Sequence, residues 1–510
     1  MRTNASVMKW FFLILPILLH SLFASTDHAP NILWIIAEDL SPFFGCYGDT
    51  VNQGHTPTVD QIAAQGVLFN RAYATSPVCS SSRSALITGL MQTRTGTHQH
   101  RSSRTVNGEI VPETLRINLP TGMKTIPELM RDHGYFTFNS GKDDYNFHYD
   151  RRELYDVGTK EDYIAGMNGW QGNRAENWKS YTKDVWSARK DKRQPWFGQI
   201  QIDGGKGDQR YLEASDFIAD DAVELPPYFP STPALRHAWS VHFNNARGSD
   251  VRISEILEQL EVDGEMDNTV IFFFSDHGHN TSLRHKQFCY EGGMKVPLII
   301  NGDHAAIPSG QVVNDLVTLL DVGATTLALA GVELPDYLEG QNLFGHEYTP
   351  ADYVIGARDR CDYTIDRIRT VRSDRYRYIR NYYLDRPLMQ PGYRDDRPPS
   401  MDMRRLYEAG ELTEYQAEHW FGLRPREELY DVNADPHQIY NLASLPDFQS
   451  ELLWHREVLK NWIKNSDDQG QYSESDVQLR ATYDHWKDRD IFKNANVNPE
   501  YSVFREASGK

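Results

Sequence analysis

The sequence predicts an α/β protein: a mainly parallel sheet flanked by helices, followed by a smaller C-terminal α+β subdomain. Three observations predict it. Short apolar runs such as Asn31–Ala37 (NILWIIA), Trp196–Ile202 and Thr269–Ser275 (TVIFFFS) read as strands buried on both faces. Segments of helical period alternate with them, as the crossovers of a parallel sheet require. Near residue 350 the texture changes, and residues 366–381 (DRIRTVRSDRYRYIRN) alternate arginine with apolar or aromatic residues, the pattern of an antiparallel pair.

In chain order, the strand Asn31–Ala37 is followed by a helix over 58–65, with Pro57 just before it. Residues 79–89 (CSSSRSALITG) read as a loop entering a helix that Gly89 ends. A further helix ends at Gly134 and leads into a strand over 135–140. The strand Trp196–Ile202, a helix over 250–260, the strand Thr269–Ser275, a strand over 296–300 and a helix over 315–329 complete the series. Beyond it come the two arginine-rich strands, with a turn near Ser373-Asp374, a Pro/Asp/Arg-rich loop over 389–400 and a helix over 451–465. The arginine strands read as a solvated sheet face, with a substrate-binding wall as the alternative. No repeat of fixed period is present. The division is an N-terminal α/β domain over 28–349 and a C-terminal α+β subdomain over 350–510.

The N-terminus reads as a signal peptide over residues 1–25. Arg2 and Lys9 precede the apolar run of residues 10–19 (WFFLILPILL), and the small residues Ala24 and Ser25 follow it. The run is too short for a span and contains Pro16, and no later segment has 18 consecutive apolar residues, so no stable membrane span is expected. The mature chain is expected to be secreted or periplasmic. Of 510 residues, 71 are acidic and 53 basic, a formal charge of −18, which argues against a general nucleic-acid binder. A local basic pocket for an anionic substrate is compatible with that charge. The four cysteines, Cys46, Cys79, Cys289 and Cys361, contain no CxxC pair, which argues against a disulfide scaffold and a structural zinc site.

Two acidic clusters share one structural position. Glu38 and Asp39 follow the first strand, and Asp276 and His277 follow Thr269–Ser275. Ligands of open parallel sheets bind outside the C-terminal strand ends. Alone, either cluster is an ordinary cap or turn; together they offer three carboxylates and an imidazole, a hard set suited to calcium or magnesium over zinc. Cys79 stands at a helix start, where free N–H groups and the positive helix end favour anions. Arg83, four residues on, shares its face. A buried cysteine beside a serine-rich cap is the plainer reading of that segment alone.

These residues resemble the type I sulfatase family of the alkaline phosphatase superfamily. The family signature is Cys or Ser, any residue, Pro or Ala, any residue, Arg; here it stands as Cys79-Ser80-Ser81-Ser82-Arg83. The likeness continues in residues 31–48, in Thr56-Pro57-Thr58-Val59-Asp60, in Gly66-Val67-Leu68-Phe69, and from Gly134-Tyr135 to Gly141-Lys142. It extends through Ser275-Asp276-His277-Gly278, from Lys286 through Tyr290-Glu291-Gly292-Gly293 to Val296-Pro297, and to Glu428-Leu429-Tyr430-Asp431 with Asp435-Pro436 and Asn441-Leu442.

The resemblance implies an alkaline-phosphatase-like fold and a sulfuric ester hydrolase. It implies that Cys79 is oxidised to formylglycine (3-oxoalanine) by a formylglycine-generating or anaerobic sulfatase-maturating enzyme. It implies that Glu38, Asp39, Asp276 and His277 bind Ca2+ together with residue 79, and that Arg83, Lys142 and Lys286 hold the sulfate. A hydrated aldehyde offers one hydroxyl to attack sulfur and a second to expel sulfate. Departures from the commonest family pattern are Ser81 for Pro or Ala, Glu38 for Asp, Asp144 for a histidine two residues after the lysine, and His277 for Asn. Residues 201–206 (QIDGGK) stand where many members carry a histidine, and Lys206 is the cation there.

The segment 95–104 (TGTHQHRSSR) resembles the branch that includes heparan N-sulfatase relatives and bacterial enzymes acting on ulvan. His98, His100, Arg101 and Arg104 are candidates to face the glycan, with Asp144 and Lys206 beside them; a polar surface loop is the plainer reading. His285, next to Lys286, is the candidate general acid for the leaving alcohol. The expected substrate is a sulfated carbohydrate, an algal polysaccharide such as ulvan or a glycosaminoglycan. The alternatives are a phosphodiesterase or phosphonate hydrolase of the same superfamily, or a non-catalytic glycan-binding relative.

Overall fold

The computed structural model describes residues 29–102, 112–158, 185–280, 283–489, 492 and 499–507. The expected signal peptide and Arg104 lie outside them. The strands are β1 (Asn31–Ala37), β2 (Val67–Phe69), β3 (Ala72–Tyr73), β4 (Phe136–Ser140), β5 (Val157–Gly158), β6 (Trp196–Ile202), β7 (Thr269–Ser275), β8 (Lys295–Val296), β9 (Leu298–Asn301), β10 (Gln311–Val313), β11 (Val317–Thr318), β12 (Tyr353–Arg358), β13 (Ile368–Ser373), β14 (Tyr376–Asn381) and β15 (Glu427–Asp431). The main sheet runs β10-β2-β9-β7-β1-β6-β4-β5. All its neighbours pair in parallel except those of β9, which is antiparallel to both β2 and β7. Sheet and helices are those of an α/β fold.

Both faces of the sheet are covered, which is why β1 is apolar at nearly every position. Ile32, Trp34 and Ile36 point to one side, into a core with Leu86 and Ile87 of α2 (Cys79–Thr88) and Val322 and Leu327 of a later helix, Leu319–Leu329. Leu33 and Ile35 point to the other, against Val59 and Ile62 of α1 (Pro57–Gln65) and Ile253 and Ile256 of α3 (Pro233–Val262). Strand alternation thus feeds two cores from one run. The indole N–H of Trp34 donates to Thr326 Oγ1 at 2.9 Å, so its one polar atom is satisfied.

Several boundaries differ from the sequence reading, each for a physical cause. The helix expected over 250–260 is α3, which begins at Pro233. Its first half buries His242, Asn244, Asn245 and Arg247, polar residues that hide the helical period. The strand expected over 296–300 is two strands in two sheets, parted by Pro297, which has no N–H to give a ladder. Residues 315–318 form β11 and a cap rather than a first helical turn, and Thr318 N-caps α4 (Leu319–Leu329) with Asp321 completing the box. The end of the proline-rich loop is helical: α5 spans Pro398–Glu408 with prolines in its first turn.

After residue 350 the chain builds the antiparallel sheet β12-β13-β14-β15, covered by α6 (Gln449–Ser466) through Leu452 and Leu459. The turn falls between β13 and β14 as expected. The solvated arginine face does not hold: Arg369, Arg372 and Arg377 are buried. Arg369 pairs with Asp468 at 2.8 Å, while Arg372 and Arg377 share Glu291 at 2.9 and 2.6 Å. These arginines are structural ion-pair partners, a role the alternation alone cannot reveal.

Candidate active site

Four neighbouring parallel strands, β7, β1, β6 and β4, end on the same edge of the sheet, and each delivers site residues just beyond its last ladder pair. Ala37 pairs with Ser275 and with Ile202, so Glu38-Asp39, Asp276-His277 and the segment carrying Lys206 emerge side by side. Lys142 follows β4 two residues after Ser140. The strand ends are locked together: Asp39 N–H donates to Asp276 Oδ1 at 2.9 Å, and Glu38 N–H to Ile202 O at 3.1 Å. Gly204 and Gly205 permit this approach, since a Cβ on Gly205 would lie 1.9 Å from Asp39 O. Asp39 itself has φ 55, an uncommon value for a non-glycine residue and one found at functional sites.

Cys79 is the first residue of α2, a helix buried along all its length. Its thiol is fully buried, 3.2 Å from His277 Nε2, 3.1 Å from Lys286 Nζ and 3.5 Å from Asp39 Oδ1. Arg83, one turn on, crosses to the strand ends. Its Nε donates to Asp276 Oδ2 at 2.8 Å and its Nη1 to Gln201 Oε1 at 2.8 Å, while Nη2 is buried with no hydrogen-bond partner among the described residues. Lys286 contacts Asp39 Oδ2 at 2.9 Å. Lys142 pairs with Glu38 and lies 3.1 Å from Asp144 Oδ2. Lys206 reaches Glu38 at 2.5 Å and Asp39 at 3.7 Å.

The electrostatics follow from burial working against neighbours. Burial and Asp39 push the Cys79 thiol up, yet Lys142, Lys286 and Lys206 outweigh them and hold it well below the ordinary thiol value. Burial raises Glu38, but Lys142 and Lys206 bring it down to about 2. Asp39 is likewise held well below the carboxylate range by Lys206 and Lys286, against burial. Burial presses the Lys142 ammonium down to about 7, against the pull of Cys79 and Glu38. His277, which burial would keep neutral, is raised to about 10 by Asp276, Asp39 and Cys79. The result is a buried crevice in which Glu38 and Asp39 are held as carboxylates by the lysines around them.

Asp39, Cys79, Asp276 and His277 each offer a ligand atom, all within 4.8 Å of one another. His277 Nδ1 faces Gly278 O at 2.7 Å, which turns Nε2 toward the cluster, the arrangement a ligating imidazole needs. Asp276 and Asp39 raise His277 because their charge makes this a place where positive charge is favoured. Buried carboxylate oxygens with one imidazole fit a hard divalent ion. Glu38 stands apart from this group, tied to Lys142 and Lys206.

Other expected residues are placed differently. The His285 Nδ1 lies 3.5 Å from Ser41 Oγ, its ring packs on Trp239, and burial presses it down to about 3. Asp144 is fully buried, 3.1 Å from Lys142 and 3.3 Å from Arg101. The loop after α2 is no polar surface loop, since His98 and His100 are both buried. Two residues that the sequence did not single out belong to the site: Gln201, near the end of β6, and Asp362, which lies 3.2 Å from His100 Nδ1. The strand-end position of Gln201 is a signal that could have found it; Asp362, in a loop far along the chain, carries none.

The sequence model of the family described as Sulfatase matches residues 30–332, the span that supplies Glu38 through Lys286. The ulvan-active sulfatase of Formosa agariphila is 29% identical over 467 residues, covering 88% of this chain and 77% of that protein. Human N-sulphoglucosamine sulphohydrolase is 25% identical over 473 residues, covering 85% and 89%. A crystal structure of a Bacteroides thetaiotaomicron sulfatase-like protein superposes with a TM-score of 0.63 at 20% identity, over 89% of this chain and 96% of that one. The chain belongs to the sulfatase family and is a sulfuric ester hydrolase.

Proposed function

We propose that the protein removes sulfate from a sulfated polysaccharide or its oligosaccharides, with residue 79 as the nucleophile. The observation that carries this reading is the convergence of Lys142, Lys206, Lys286 and Arg83 on the buried Cys79 at a helix start. A sulfate monoester carries its charge on peripheral oxygens, and fixed cations in a water-poor crevice stabilise that charge most as the S–O bond breaks. Arg83 Nη2 is a spare buried donor for one such oxygen. Lys286, 3.1 Å from Sγ, orients the side chain of residue 79, and Lys142 adds a second cation with its charge buffered by Glu38 and Asp144.

Conversion of Cys79 to formylglycine by a maturating enzyme would supply a geminal diol, one hydroxyl to attack and one to expel sulfate. A calcium ion held by Asp39, Asp276 and His277, with residue 79 and Glu38 adjoining, would supply electrophilic charge at the sulfate. The alternative phosphonate or phosphodiester reading draws on the fold alone, whereas the relatives above are named for ulvan and N-sulphoglucosamine. The proposed unit of catalysis is 28–349, completed by a C-terminal subdomain over 350–510. A signal peptide over 1–25 would place it in the periplasm or outside the cell; among the described residues no helix is long and apolar enough to cross a membrane.

The test is a desulfation screen of ulvan and glycosaminoglycan oligosaccharides, run beside aryl sulfates and aryl phosphonates. Sulfate release that disappears in Asp39→Ala, in Asp276→Ala and after exhaustive chelation is expected. Full activity in either variant, or a preference for the phosphonate, would contradict the reading.

A further inference from the structure

The loop that follows α2 is sewn to a segment beyond the main sheet. His100 N–H donates to Arg360 O at 2.9 Å, and Arg360 N–H donates to Gln99 Oε1 at 2.8 Å. A tight turn, with Cys361 and Thr364 exchanging backbone hydrogen bonds, presents Asp362 at φ 52. Arg101 at φ 63 and Asp144 at φ 57 are the facing residues, and Arg101 lies 3.3 Å from Asp144 and 3.8 Å from Asp362. Three left-handed non-glycine residues meet in one place, and such strain persists only where surrounding contacts impose it.

Enclosed by them, the His100 ring is 1% exposed. Its Nδ1 lies 3.2 Å from Asp362 Oδ2, and among the described residues neither ring nitrogen has a well-formed hydrogen bond. A ring nitrogen of His100, Cys79 Sγ and an Asp144 oxygen all lie within 4.8 Å of one another. Nδ1 is the nitrogen that approaches Asp362, which leaves Nε2 available to residue 79. A buried imidazole held this way costs folding energy unless it gains a partner.

We propose that His100, oriented by Asp362, accepts a hydrogen bond from the side chain of residue 79 and holds it in its reacting rotamer. This rests on residue 79 being the nucleophile. The pair stands where the chain has Asp144 in place of an imidazole beside Lys142, and it explains why a segment from beyond residue 350 reaches the crevice. His100 touches the reacting side chain; Asp362 acts through His100 as a positioning residue.

The experiment is a double-mutant cycle on sulfate release, with Cys79→Ala as the control. His100→Ala should lower kcat about 10²-fold with KM within about twofold, since a misplaced reacting group costs rate and not ground-state binding. His100→Gln, which keeps an acceptor, should recover part of that loss. Asp362→Asn should lower kcat about tenfold, and should cost nothing further in the His100→Ala background. Unchanged kcat in Asp362→Asn, additive losses in the double variant, or a raised KM with kcat intact would overturn the proposal. Should His100→Ala fail to fold, Asp362→Asn and His100→Gln decide the question in its place. An active Cys79→Ala would instead overturn the nucleophile reading, whereas an inactive Cys79→Ala beside a fully active His100→Ala would overturn this inference alone.

Discussion

Arg83 joins α2 to the strand ends, and its geometry sets what each atom can do. Nε and Nη1 are engaged with Asp276 and Gln201, which leaves Nη2 for a ligand oxygen. A planar fork is required, because a point-like ammonium cannot serve these directions together. Arg83→Lys should therefore lower kcat by about 10²-fold, the typical loss of one preorganised donor; steady-state kinetics with an aryl sulfate would show it, and a kcat within error of the parent would count against the assignment. Cys79 and Arg83 could be placed together from their spacing because a helix start fixes where they point, whereas Lys142 and Lys286 were reached only through the resemblance to the sulfatase family. For His285 adjacency to Lys286 in a loop says nothing of aim, and its recorded contacts are with Ser41 and Trp239. Asp362 was invisible for a different reason: its contact with His100 depends on how two distant loops meet.

At the scale of elements, the site depends on how closely β6 and β1 approach at their ends. Gly205→Ala would place a Cβ against Asp39 O, 1.9 Å away in the present geometry. The turn must then shift, carrying Lys206 and Asp39 with it, so activity should fall at least about tenfold as reacting groups move out of register. A wild-type rate from Gly205→Ala would show that the approach is not needed. The pairing of Glu291 with Arg372 and Arg377 ties the main α/β layer to β13 and β14. Burial raises Glu291, but the two arginines bring it down to about 2. A carboxyl lowered in the folded state gives stability that is full above its unfolded value near 4.5 and is lost as pH falls toward 2. Glu291→Gln should thus cost about 3 kcal/mol at pH 7, the order expected when a buried pair loses one partner. The gap from the parent should narrow below pH 4.5 in urea unfolding; a gap independent of pH would show that the ion pair is not what joins the two layers. β1, β6 and β7 were legible to the residue because each is an apolar run ended by a charged or polar residue. The first half of α3 and the buried arginines were not, because polar side chains inside a fold look like surface until their partners are known.

Over the whole molecule, a chain of net charge −18 encloses a crevice where lysines and an arginine surround one buried side chain. The acidic exterior and cationic interior are compatible because the low-dielectric crevice sets its own potential. The fold class, the order of the motifs and the edge of the sheet that carries the site were all readable from sequence, since one run of parallel strand ends dictates them. The closure of the crevice from beyond residue 350 was not, because it arises from long-range contacts such as His100 with Arg360 and Asp362. The proposed chemistry stands on residue 79 acting as formylglycine. Mass spectrometry of the peptide containing residue 79, taken from a preparation whose sulfate release has been measured, tests this at its source. The peptide should be lighter than the cysteine form by about 18 Da, a change outside the ordinary thiol oxidation ladder, in proportion to activity. Full activity from a peptide bearing unmodified cysteine would contradict the mechanism.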